Sequence, residues 1–338
     1  MIKEPIFFER NRVGRVYSGG KLFGGFFGDE PVDNFFPEEW IASSVKALNK
    51  EMASEKEGVS KVKGSDIYFD ELLSKYPLEM LGSSKKMRIL VKILDSAVRL
   101  PAQAHPDKAF SRKHFNSEYG KTESWIILDT REDAKIYFGF KDGVNKEVFA
   151  KAIDDSKTDK SAMERLMEYS VPKKGDVYLV PAKAVHAIGA GCLILEVQEP
   201  TDFTIQPEHW CDSYKLNDNE MYIGLSKEDA MECFDFKKFP DTRLTPRLIK
   251  DQDGCKIEEL ITPNDTDCFV IKRIVLNGGS HTFNINDSYA VYIVTDGKAE
   301  IKGDGYIKEI KKGDYFFMPA SLMNKFTAFG NAEIIECY

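Results

Sequence analysis

The sequence predicts a mainly β protein built as two related β-barrels with an added helical insertion, on three observations. Roughly the last hundred residues alternate β-rich runs (FVIKRIVLNGGS, YAVYIVTDGKAEIKGDG, YFFMP, AEIIECY) with Gly, Asn and Asp turns, the spacing of a sandwich or barrel. Lys173 to Ile188, KKGDVYLVPAKAVHAI, aligns without gaps on Lys311 to Phe326, KKGDYFFMPASLMNKF, so one turn-strand-turn-strand unit occurs twice. Between Asn145 and Glu168 two helical patterns, NKEVFAKAID and KSAMERLMEY, interrupt the strands. Residues 1–140 together with 170–235 are therefore expected to form an N-terminal barrel, 141–169 the helical insertion, and 236–338 a C-terminal barrel.

Along the chain, the glycine-rich stretch GGKLFGGFFG (Gly19 to Gly28) reads as loop and short helix. It lacks the strand-before, helix-after setting of a dinucleotide loop, so close backbone approach is the better explanation of its glycines. DIYFDELLSKY (Asp66 to Tyr76) places apolar residues at helical spacing. RILVKILDSAVRL (Arg88 to Leu100) is apolar and β-leaning, a buried strand that delivers the chain to PAQAHPD. Pro106 opens a helix-like run through His114, since proline is tolerated in a first turn. Glu123 heads a new strand, TESWIILD, and strands resume near Asp176 after the insertion.

The 338 residues carry 30% charged and 42% hydrophobic side chains, an ordinary globular mixture. A formal net charge of −8 argues against general nucleic-acid binding, which relies on lysine and arginine patches. No run approaches the ~18–20 apolar residues of a membrane span, and MIKEPIFFERNRVGR lacks a signal peptide's apolar core, so a cytoplasmic location is expected. The six cysteines form no CxxC pair, which fits reduced, buried fillers and not a disulfide framework or thiolate zinc site. Two barrels packed together allow a monomer, and nothing in the sequence specifies an oligomer.

Gln103 and His105 are two residues apart, so on an extended segment they leave from one face and can converge on one ion. Glu123 can add a carboxylate. His186 would close the set, and the internal repeat singles it out: the matching position of the second copy is Asn324, so the architecture does not need histidine there. Two imidazoles, a carboxylate and an amide oxygen suit Zn²⁺, with Fe²⁺, Mn²⁺ or Co²⁺ as alternatives. The absence of thiolates favours a catalytic over a purely structural site. Spacing alone does not separate this set from packing and surface residues.

PAQAHPDK (Pro101 to Lys108), GKTESW (Gly120 to Trp125) and VPAKAVHAIGAG (Val180 to Gly191), in this order, resemble the type I mannose-6-phosphate isomerases of the cupin superfamily, especially the short bacterial form. The resemblance spans nearly the whole chain. It implies two cupin barrels of jelly-roll type, one Zn²⁺ per chain held by Gln103, His105, Glu123 and His186, and interconversion of mannose 6-phosphate and fructose 6-phosphate through an enediol. The glycine-rich segment and PEEWIASS (Pro37 to Ser44) resemble family sequence lining the cleft. Lys121, on the strand face of Glu123, matches a lysine of the family's pocket and is expected to meet phosphate or sugar hydroxyls. EVQEPTDFTIQPEHW resembles the segment that supplies an acid and, four residues later, an arginine. Asp202 matches the acid, but the arginine position reads Gln206.

That departure replaces a fixed positive fork with a neutral dipole, a loss that typically costs on the order of 10²–10³ in rate. Lys183, Lys215 and the cluster Arg112, Lys113 and His114 are the candidate substitute cations. His209 and Trp210 could line the cleft, and His281 of the second barrel, facing Asn324 instead of a second histidine, is read as non-ligating. The expected ligand is a small sugar phosphate. Beside the isomerase stand a sugar-phosphate binding protein of altered substrate, favoured by Gln206, and a cupin oxygenase, disfavoured by the glutamine ligand.

Overall fold

A computed structural model describes residues 2–49, 54–239 and 242–338. Strands take 37% of the chain and helices 16%, as a mainly β fold requires. One antiparallel sheet runs in the order Arg243–Leu244, Val177–Val180, Glu123–Thr130, Cys192–Gln198, Leu90–Ser96, Glu38–Ile41, Arg12–Val13. A three-stranded sheet of Met167–Ser170, Ile136–Phe140 and His186–Ile188 completes this first barrel. The second is built on Tyr315–Met318, Ala290–Gly303, Thr327–Cys337, Ile271–Thr282, Cys255–Ile261 and Arg247–Gln252, with Tyr306–Lys311 forming a hairpin on Ala290–Gly303. The edges are exchanged: Ile6–Phe7 pairs with Tyr315–Met318, and Arg243–Leu244 pairs with Val177–Val180.

The repeat in the sequence is a repeat in hydrogen bonding. The backbone N–H of Lys173 donates to Asp176 Oδ2 and that of Lys311 to Asp314 Oδ2, each at 2.9 Å. Gly175 and Gly313 sit at φ of +90° and +87°, a region costly to side-chained residues, and donate to Ile127 O and Val294 O. Each turn is thereby tied to an interior strand of its own barrel.

Following that pairing shows what became of the site in the second copy. Glu123 stands opposite Val180, and Ala290 stands opposite the corresponding Met318. His186 exchanges backbone hydrogen bonds with Gln103, as Asn324 donates to Phe283. The counterparts of Gln103, Glu123 and His186 are thus Phe283, Ala290 and Asn324. Phe283 and Ala290 are fully buried and pack in an apolar cluster with Ile285, Tyr292 and Phe316.

Several expectations need correction. Of the two helical patterns, only Lys146–Asp155 forms, capped by Asn145. The second becomes a single 3-10 turn, Glu164–Leu166, followed by Met167–Ser170, because pairing with Ile136–Phe140 outweighs local helical preference. Pro106 lies outside its helix, which is Lys108–Phe115 with Asp107 accepting from the Phe110 N–H. The helices Asp218–Tyr222 and Lys227–Met231 were not foreseen: five residues are too few to show a period. They pack with Phe149 and Ile153 in a separate cluster. All six cysteines are free and buried.

The two barrels share one core. Ile41, Val91, Ile126 and Leu195 of the first meet Tyr289, Val291, Phe317 and Ile335 of the second, with Phe69 of the helix Phe69–Lys75 between them. Phe317 is fully buried, edge-on to Phe69 and stacked on Tyr289. Phe317→Ala should cost about 3–5 kcal/mol. Because the core is common, far-UV and near-UV signals of this variant should fall in a single coincident transition; two separated transitions would show that the barrels unfold independently.

Candidate metal centre

Three elements bring the predicted ligands together. The segment around Gln103 lies between two neighbours: Gln103 and His186 exchange backbone hydrogen bonds, Ala104 does the same with Ile205, and the Lys183 N–H donates to His105 O. Glu123 begins Glu123–Thr130, an interior strand of the sheet, and the Lys121 N–H donates to Pro106 O just ahead of it. His105, Glu123 and His186 offer ligand atoms that all lie within 4.8 Å of one another, and all three are buried. Gln103 lines the same cavity.

The imidazoles are oriented from behind. His105 Nδ1 lies 2.9 Å from Phe203 O and His186 Nδ1 lies 2.9 Å from Ala184 O, so in the tautomers these carbonyls select both Nδ1 atoms carry the proton. Both Nε2 lone pairs then face the same point, 3.1 Å apart, with Glu123 oxygens 3.1 Å from His105 Nε2 and 3.3 Å from His186 Nε2. Two lone pairs and a carboxylate aimed at one another repel unless a positive charge stands among them. The Lys121 ammonium supplies one here, 2.8 Å from His105 Nε2 and 2.7 Å from Glu123 Oε2. Burial, aided by Lys121, pushes His105 down to about 3, and burial also lowers His186. Burial alone would raise Glu123, but Lys121 and the imidazoles outweigh it and hold the carboxyl well below its usual range. Neutral imidazoles beside an ionised carboxylate are the protonation states a divalent metal requires. The donor set therefore fits zinc.

Gln103, His105 and Glu123 open onto a cavity of about 1030 Å³, large enough for a phosphorylated sugar. Asp202 and Gln206, both anticipated, line it. Asp202 accepts from Arg15 Nη2 at 2.9 Å and from the Leu48 N–H at 2.8 Å, while Gln206 Nε2 donates to Glu220 O at 3.1 Å. The proposed substitute cations Lys183, Lys215, Arg112 and Lys113 do not line it, and neither does His114. Arg112 and Lys113 instead pair with Glu118 and Glu232 on the surface. His209, expected in the cleft with Trp210, bonds Ser156 Oγ at 2.9 Å instead. The glycine-rich segment also stays away: a Cβ on Gly19 would fall 1.8 Å from Asp95 O, so these glycines serve close packing. From PEEWIASS only Glu38 lines the cavity.

Sequence reasoning missed Arg15, Lys92 and Glu196, which line the same cavity. Arg15 Nε donates to Glu38 Oε1 at 2.8 Å, and Glu38 also accepts from Tyr17 Oη and Trp40 Nε1. Lys92 Nζ stands 3.2 Å from Glu196 Oε1 and 4.8 Å from the Trp40 ring centre. Burial raises Glu196 above its ordinary range, with Lys92 opposing. Lys92 and Glu196 did leave a signal, each the lone charge amid apolar strand residues (ILVKIL, CLILEVQ), whereas Arg15 left none.

Comparison with known proteins agrees with the geometry. A family model for the cupin domain of mannose-6-phosphate isomerase matches residues 258–338. Over 337 residues the chain is 32% identical to the mannose-6-phosphate isomerase of Streptococcus mutans, covering 99% of this chain and 98% of that one. It is 30% identical over 250 residues to mannose-6-phosphate isomerase ManA of Bacillus subtilis, 73% of each chain. Among solved structures, a mannose 6-phosphate isomerase from Bacillus subtilis superposes with a TM-score of 0.80 at 24% identity, covering 99% of this chain and all of that one. The apo form of the Salmonella typhimurium enzyme gives 0.74 at 14% identity, covering 100% and 99%. At these identities the two superpositions establish the fold.

The cavity wall has a measurable pH signature. Burial would raise Glu38, but Arg15 and Lys92 outweigh it and bring the carboxyl from 4.5 to about 2. Its ionised form therefore stabilises the fold above pH about 4.5, and that contribution is lost as pH falls from there towards 2. In Glu38→Gln, urea-unfolding free energies should fall less steeply across this window, by up to about 1.4 kcal/mol per pH unit. An unchanged slope would remove Glu38 from the acid response.

Proposed function

Because the chain belongs to the mannose-6-phosphate isomerase family of the cupin superfamily, we propose that it is a zinc-dependent aldose–ketose isomerase interconverting mannose 6-phosphate and fructose 6-phosphate. The convergence of His105 Nε2, His186 Nε2 and the Glu123 carboxylate carries this reading. Gln103, His105, Glu123 and His186 would hold one divalent ion. When bound, that ion supplies Lewis-acid polarisation of the sugar oxygens at C1 and C2.

The remaining work falls to the chain itself. Moving a proton between C1 and C2 through an enediol needs a group able to exchange protons near neutral pH. Glu196 has the right environment: it is buried, raised by burial and faced by the Lys92 ammonium across 3.2 Å. Lys121 carries an ammonium at the ligands' edge, placed to bond a sugar oxygen that gains negative charge. Asp202 holds Arg15, and Arg15 in turn holds Glu38, so these three order the cavity wall rather than moving protons. Phe203 and Ala184 fix the imidazole tautomers through their carbonyls.

One observation favours a second reading, a pocket of altered substrate or a binding protein. Gln206 stands where the family resemblance expects arginine. Among the described residues, the cations lining the cavity, Arg15, Lys92 and Lys121, are each already engaged by a carboxylate.

A coupled assay of mannose 6-phosphate conversion, with zinc-loaded protein beside a chelated control, decides between them. Metal-dependent turnover is expected; stoichiometric zinc without turnover would favour the second reading. His105→Ala and His186→Ala should each lose most bound zinc, measured by metal analysis after dialysis, with circular dichroism near wild type. Gln206→Arg should raise kcat/KM for mannose 6-phosphate by about tenfold or more, through a charged contact the native residue cannot make. A loss on that substitution would mean the pocket is rebuilt around glutamine.

A further inference from the structure

The second barrel lacks the ligand set, yet one of its hydroxyls reaches a strand that forms the first barrel's cleft wall. Tyr315 begins Tyr315–Met318, and its place in the internal repeat is that of Val177 in the first copy. Val177 is wholly buried among apolar neighbours. Tyr315 is nearly as buried but carries a polar end, which donates to Glu39 Oε1 across the junction between the barrels. A tyrosine placed where the sister copy needs only valine is the reverse of the His186 and Asn324 divergence.

Glu39 is wholly buried and is met from two further directions: the Asn11 N–H donates to Oε1 at 2.8 Å, and Arg12 Nη1 lies 2.9 Å from Oε2. These groups belong to Arg12–Val13 and Glu38–Ile41, which pair Arg12 with Glu39 and Val13 with Glu38. The same two strands present the cleft wall. Glu38 precedes Glu39 and, by strand alternation, faces the other way, while Arg15 follows two residues after Val13 and bonds both Glu38 and Asp202. A tie on one face of this short pair therefore fixes the residues on the other.

We propose that Tyr315 is a positioning residue for the cleft: its hydroxyl, donated to Glu39, holds the strand pair that sets Arg15 and Glu38 against Asp202. The second barrel thus contributes to the site while touching neither the ligands nor the substrate. The kinetic part of this statement rests on the isomerase reading; the structural part does not.

The experiment uses the zinc-loaded full chain and Tyr315→Phe, which removes only the hydroxyl. Hydrogen exchange should quicken in residues 12–15 and 38–41 by at least about tenfold, with residues 103–105 and 186–188 unchanged. The KM for mannose 6-phosphate should rise about fivefold or more, with kcat within twofold and zinc affinity, measured by chelator competition, unaltered. A lower melting temperature with unchanged KM and no local change in exchange would overturn the proposal, leaving Tyr315 as packing. Parallel loss of zinc affinity would also overturn it, by showing general loosening. Failure of the wild type to turn over would count against the isomerase reading alone, since exchange and ligand affinity by calorimetry still report on Tyr315.

Discussion

Burial of the Glu123 carboxylate is the constraint that the first barrel is arranged to satisfy, because an ionised carboxylate taken out of water without compensation costs several kcal/mol. Glu123 is 1% exposed at the head of the strand Glu123–Thr130. Among the protein's own groups its compensation comes from Lys121, two residues earlier on the same face, while two imidazoles delivered by separate segments turn their lone pairs to the same point. Each of those imidazoles must be held neutral and turned the right way, which is what the Phe203 and Ala184 carbonyls do. The bridge between Gln103 and His186 and the pairing of Ala104 with Ile205 follow from the same need, since they fix the segments that carry the rings.

Much of this was legible in the sequence. The Gln103 and His105 pair is a local signal, and the repeat gave a control for His186: the same scaffold with Asn324 showed which residue the fold does not require. The structure extends that control to the other positions, where Phe283 and Ala290 close the second barrel's interior with apolar side chains. The wall of Arg15, Glu38 and Asp202 was only partly legible, because its residues are defined by one another. The three come from distant stretches; Asp202 and the segment holding Glu38 carried a family resemblance, but Arg15, which joins them, reads alone as an ordinary surface charge. Only the sheet order, which sets Arg12–Val13 beside Glu38–Ile41 and that beside Leu90–Ser96, brings them to one place. The misread second helix has the same origin, as the partner strand Ile136–Phe140 decides a conformation that local pattern cannot.

The two copies also show how a duplicated unit divides labour. The turn, its glycine and its tie to an interior strand are kept in both, since they are what closes a barrel. Side chains pointing inward are free to differ once the backbone is secured. Charge entered one interior and apolar volume the other. A charged interior is the harder one to stabilise, and the shared core of Phe317, Tyr289, Ile126 and Leu195 lets the apolar barrel buttress the polar one.

In the proposed isomerase, the charge balance of the cavity would give a bound divalent ion a second role beyond polarising a carbonyl. Glu38, Glu57, Glu123, Glu196, Asp202 and Glu220 line it against Arg15, Lys92 and Lys121, so the protein's own groups leave it negative. A dianionic sugar phosphate entering such a cavity meets repulsion that salt screens poorly at short range. A doubly charged cation at His105, Glu123 and His186 offsets most of that excess, and an arginine at position 206 would offset more. With glutamine there, an isomerase of the kind proposed would owe its discrimination between a phosphorylated and a neutral sugar largely to the ion, and metal occupancy and substrate preference would be linked.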